Sequence, residues 1–196
     1  MTEATARHGG SLTVVLSADP PGLDPVQLQG VQNWAEAIAV AGVYDTLFYL
    51  DSTNRLTAKM GRSLTSADDG ASWLLRVQPG IRFSDGTPLD AEAVRVNWER
   101  LADATNRSAV SKHAALIARM KAIDALTLHV TLTEQVPHFD MLVSRYLSSV
   151  GSPAALALLG EDFAKAPVGA GPFVMTEWER GSHMRLRRNL VDFAPF

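Results

Sequence analysis

Five histidines, His8, His113, His129, His138 and His183, are the first residues to test for chemistry, because neutral imidazole is the commonest metal ligand. None stands to another as in H-x-x-x-H or H-E-x-x-H, the spacings that put two ligands on one helix face. They read as solvated or capping side chains, and no metal site is expected. Asp68-Asp69-Gly70 lacks the alternating carboxylates and closing Glu of a calcium loop and reads as a turn. No serine sits in G-x-S-x-G, and the chain has no cysteine, which excludes disulfides, thiolate metal sites and a cysteine nucleophile. Gly169-Ala170-Gly171 is rich in glycine, but no Lys-Ser or Lys-Thr follows it and the next stretch reads as a strand. No helix N-terminus therefore waits there for a phosphate. Neither an enzyme nor a cofactor is indicated; binding is the better class.

Composition agrees. The 196 residues are 46% hydrophobic, enough for a domain with a real core. A net charge of −3 with a pI near 5.9 lacks the basic excess needed to coat phosphates, so nucleic acid is not an expected partner. No run approaches the ~18 apolar residues of a membrane span. Residues 1–10, expected to be a disordered tail, lack the basic start and apolar stretch of a secretion signal.

The elements that would carry a site can be read from pattern. Trp73, Leu75 and Val77 alternate with polar neighbours as in a strand, and turns at Pro79-Gly80 and Asp85-Gly86 enclose the short run Ile81–Phe83. Asp90 is placed to cap a helix whose Ala91, Val94, Trp98 and Leu101 make one apolar stripe. Leu12–Leu16 reads as a buried strand stopped by Pro20-Pro21-Gly22. Asn33 with Glu36 forms a capping box for a helix to about Tyr44, followed by a strand over Leu47–Leu50. His113–Met120 reads as a short helix, and residues 102–112 as a loop. Leu126, Leu128, Val130 and Leu132 alternate strictly, the cleanest strand in the chain. Ser152-Pro153 opens a helix that Gly160 ends, and Phe173–Trp178 with a return through Asn189 reads as a hairpin.

Several of these stretches resemble one family. V-x-P-G-I-R-F-S-D-G-T-P-L-D-A-E-A-V with N-W-E-R after it, Leu23-Asp24-Pro25, Val43-Tyr44-Asp45-Thr46-Leu47, and Pro167-Val168-Gly169-Ala170-Gly171-Pro172-Phe173 are similar to the signature segments of family 5 bacterial extracellular solute-binding proteins. These are the peptide and nickel receptors of ABC importers. Ala170 stands where Thr is usual, and the segment after Asn189 departs from the family pattern. The resemblance implies a mixed α/β (α+β) fold, the first lobe of a two-lobed receptor of periplasmic binding protein type II. It runs from about Leu12 to Asn189, so residues 11–196 would be part of that lobe, with the second lobe and the returning segment outside them.

The resemblance also implies a function. The full receptor would capture oligopeptides or a similar solute outside the cytoplasm, as a periplasmic protein or cell-surface lipoprotein, and deliver it to an ABC permease. Two other readings stay open: a nickel or metal-chelate receptor, and a sensor or interaction module without transport. Surface normally covered by the other lobe would favour self-association. The ligand-facing candidates are Pro21, Gln32, Asn33, Trp34, Arg145, Tyr146, Gly169 and Gly171. Trp34 and Tyr146 offer flat walls, although Trp34 serves equally as a core anchor of its helix. Arg145 suits a ligand carboxylate or a surface salt bridge.

Overall fold

Capping and apolar spacing dictate the central helix, and the rest of the fold packs around it. A computed structural model describes residues 9–28 and 34–191 of the chain; for 34–36 it describes the backbone alone. Helix α2 (Ala91–Ala102) starts where the Asp90 carboxylate accepts the Ala93 amide at 2.8 Å, and it buries the expected stripe of Ala91, Val94, Trp98 and Leu101 completely. Four strands face it: β3 (Gly61–Thr65), β4 (Ser72–Val77), β5 (Ile117–Asp124) and β6 (Thr127–Leu132), all antiparallel, in the order β3-β4-β6-β5. Trp73, Leu75 and Val77 of β4 and Leu128, Val130 and Leu132 of β6 supply the inner face, opposite the α2 stripe. Each such large apolar side chain contributes roughly 1.5–3 kcal/mol by leaving water. Phe139 joins this core edge-on to Trp98, with ring centroids 6.1 Å apart at 89°.

Helix α1 (Trp34–Val43) precedes a two-stranded unit of β1 (Phe48–Leu50) and β2 (Leu56–Ala58), whose turn is fixed by the Asp51 carboxylate accepting the Thr53 and Arg55 amides. The short helices α3 (Ser111–Ala114) and α4 (Phe139–Leu142) lead to α5 (Pro153–Leu159), capped by Ser152 and followed by Gly160 as expected. A separate hairpin pairs β7 (Phe173–Glu179) with β8 (His183–Arg188).

Two expectations are corrected. Residues 117–120, read as the end of a helix, open the edge strand β5. Leu116, Ile117 and Met120 imitate a helical stripe, while bulges at Ile117/Arg119 and Ala122/Asp124 break the period of two that would have revealed the strand. Leu12–Leu16 is not a strand: Leu12 is 87% and Val15 91% exposed, and no backbone partner lies beside them among the described residues. The expected disordered tail lies mostly outside the described residues, as does Asn33 of the capping box.

Candidate solute-facing site

A cavity of about 290 Å³ opens between α1, the end of α2 and the segment that follows α4. Val40 and Ala41 of α1, Leu101 of α2, Val110 and Leu28 give it apolar walls, and Arg145 and Tyr146 stand on its border. Those two residues sit on a π-helical turn, Val143–Leu147, that continues α4. Ser144 Oγ donates to the Met141 carbonyl at 2.9 Å, a local side-chain bond to the preceding turn. The Leu147 carbonyl at its end accepts the indole N–H of buried Trp98 at 2.8 Å. Val143 and Leu147 are thereby fixed in the core, while Arg145 points outward and Tyr146 is half-buried. Wide turns of this kind recur at functional positions because they rotate side chains out of helical register.

The Tyr146 ring has a partner that no local motif announced. His113 of α3 lies flat on it, with ring centroids 4.0 Å apart and an interplanar angle of 10°. Burial, and then the neighbouring Lys112 cation, push the His113 imidazolium below its ordinary pKa, favouring the neutral ring in the stack. Arg145, by contrast, makes no ion pair or side-chain hydrogen bond among the described residues.

The opposite wall is held by charge. Asp24 caps the 3-10 turn Pro25–Gln27 and receives Arg100 of α2 through both carboxylate oxygens, so Pro25 is set against the cavity. Tyr44 is wholly buried and donates to the Leu23 carbonyl at 2.6 Å. Burial and then the Asp24 charge raise its phenol well above the ordinary value, so it remains a donor.

The sequence-expected site residues divide. Arg145 and Tyr146 come together on the cavity. Pro21 does not line it; its carbonyl accepts Arg180 Nη2 at 2.8 Å, fastening the Pro20-Pro21 loop to the β7–β8 turn. Gly169 and Gly171 are buried against the end of α1, where the Gly171 amide donates to the Val43 carbonyl at 2.8 Å. Added Cβ atoms there would lie 2.2 Å and 2.6 Å from Val43 O, so close backbone packing accounts for both glycines. Gln32 and Asn33 lie outside the described residues, and of Trp34 only the helical backbone is described. Among the described residues no group of three or more His, Asp or Glu is placed to hold a metal ion, and no helix is long and apolar enough to cross a membrane.

Residues 55–190, more than half of the chain, match the family model for bacterial extracellular solute-binding proteins, family 5 Middle. The chain belongs to the family 5 solute-binding proteins. Among curated family 5 relatives, the glutathione-binding protein GsiB of Escherichia coli O6:K15:H31 (strain 536) is 29% identical over 185 residues, covering 94% of this chain and 36% of GsiB. The fold is that of family 5 periplasmic binding proteins. The binding protein AgaA of A. tumefaciens R10, solved with agropinic acid, superposes with a TM-score of 0.81 at 21% identity, over 91% of this chain and 36% of AgaA. Haemophilus influenzae OppA, solved with the peptide RPPGFSPFR, gives 0.77 at 20% identity, over 89% and 37% of the two chains. The chain thus spans about a third of the length of the relatives it matches.

Proposed function

We propose that residues 11–191 form part of the first lobe of an ABC-importer receptor, and that Arg145 and Tyr146 face its solute, a small peptide or peptide-like molecule. The observation that carries this reading is Arg145, without an ion pair among the described residues, beside Tyr146 on a π-helical turn at the border of a 290 Å³ cavity. A rigid aromatic wall and a forked cation on one short turn suit a ligand with a flat or apolar part and an anionic end. The glutathione-binding relative and the peptide-bound OppA neighbour support the solute class. Delivery to a permease and a place outside the cytoplasm go with the family.

Isothermal titration with a panel of di- and tripeptides, glutathione included, tests it. Binding that is lost in Arg145→Ala and weakened in Tyr146→Ala is the expected result. Unchanged affinity in both variants would remove these residues from the site.

A further inference from the structure

We infer that the cavity beside Tyr146 receives a compact apolar or aromatic group whose carboxylate is taken by Arg145 at the border. The inference rests on the receptor reading above and narrows its ligand class.

The size comes first. A volume of about 290 Å³ is roughly ten water volumes, at the lower end of ligand cavities, which run from about 300 Å³ upward. It admits one ring with a short linker, not a whole oligopeptide.

The chemistry of the wall is more selective. Leu28, Val40, Leu101 and Val110 present only hydrocarbon, and among the described residues no carboxylate lines the cavity. Its serine hydroxyls are largely engaged already: Ser144 donates to Met141 and Ser148 to the Phe48 carbonyl. An ammonium group entering here would lose its water with no counter-charge to meet, which is costly, whereas an apolar group gains by entering. Among the described residues Arg145 is the single charged side chain on the lining; it is exposed and has no anionic partner there. Its planar fork matches a carboxylate through two parallel hydrogen bonds. The ligand is thereby oriented, with its apolar group inward and its anion outward. Tyr146, held flat by His113, stands beside the path of the apolar group.

The test is an amide-resolved NMR titration of the full 196-residue chain with 3-phenylpropanoate, 3-phenylpropylammonium and acetate. The expected result is that 3-phenylpropanoate perturbs Val40, Val110 and Tyr146 and half-saturates at a concentration about tenfold or more below that of the ammonium, the worth of one good charge-assisted contact. Acetate alone should leave Val40 and Val110 unmoved. Arg145→Gln should erase the preference for the anion. Ala41→Trp, at an exposed position on the lining, should block both aromatic probes while the spectrum stays dispersed. Equal affinity for the two aromatic probes, or binding that survives Ala41→Trp, overturns the inference. A peptide that binds through Arg145 without perturbing Val40 and Val110 overturns it too, and leaves the receptor reading intact. Silence from every peptide and from 3-phenylpropanoate alike overturns both.

Discussion

Arg100 grips Asp24 with both terminal nitrogens, Nη1 at 3.1 Å from Oδ1 and Nη2 at 2.9 Å from Oδ2, across 76 positions of sequence. The pair joins the cavity's Pro25 edge to the helix that supplies Leu101. Asp24→Asn leaves a largely buried guanidinium without its counter-charge, an expected loss of about 2–3 kcal/mol. Urea denaturation measures it, and Asp24→Asn/Arg100→Leu should recover part of the loss if the unpaired charge is the cause.

Asn97 does comparable work without charge. Its Nδ2 donates to the Ala93 and Gly151 carbonyls and its Oδ1 accepts the Gly151 amide, all inside the core. Asn97→Ala strands both backbone groups of Gly151 and should cost about 2–4 kcal/mol. Asn97→Asp keeps the acceptor but sets a buried carboxylate against the Ala93 and Gly151 carbonyls, and should melt no higher than Asn97→Ala in thermal denaturation.

Glycines around α1 should respond in opposite ways. Gly169→Ala drives a methyl into the Val43 carbonyl, a backbone atom that cannot step aside, and should destabilise by roughly 2–4 kcal/mol. Gly42→Ala meets the flexible end of Leu186 at 3.3 Å and the Phe173 ring at an ordinary 3.9 Å, and it removes a glycine from a helix, which is worth up to about 1 kcal/mol. Its melting temperature should hold or rise.

The His113 stack predicts a pH dependence. Its pKa is depressed in the folded chain relative to about 6.5 unfolded. The unfolded state therefore binds more protons in that window, so this contribution is complete above about 6.5 and is lost as pH falls through the folded value. The free energy of unfolding should decline between pH 7 and 5, and His113→Phe, which keeps a ring on Tyr146, should flatten that decline.

Asp85 governs a more acidic window. Burial alone would raise its pKa, but hydroxyls of Ser152 and Thr87, each donating at 2.6 Å, bring it below the ordinary value. Its contribution is present above the unfolded carboxyl pKa, near 4, and disappears as pH falls through the lower folded value. Asp85→Asn should shift the acid-unfolding midpoint upward, with stability near neutrality no greater than wild type, read by circular dichroism.

Local signals were legible where they act locally. Asp90 and the stripe from Ala91 to Leu101 specify α2 completely, and Ser152, Pro153 and Gly160 bound α5 at both ends. Arg145 and Tyr146 could be chosen as site residues, yet their presentation could not be foreseen, because it depends on a π-helical turn pinned by Trp98 from another helix. His113 read as a solvated imidazole because nothing near it in sequence hints at the Tyr146 ring. Leu12–Leu16 carries the composition of a strand, but a strand is a relation between two segments, and composition describes only one of them.

The sheet order has a consequence for synthesis. β4 lies beside β6, with Trp73 opposite Val130, although α2 and β5 come between them in the chain. On the ribosome, β4 therefore emerges with β3 as its sole neighbour and keeps an open hydrogen-bonding edge until β6 is made. Closing that long loop should set the folding rate, and the nascent half-sheet is the species a chaperone has to shelter.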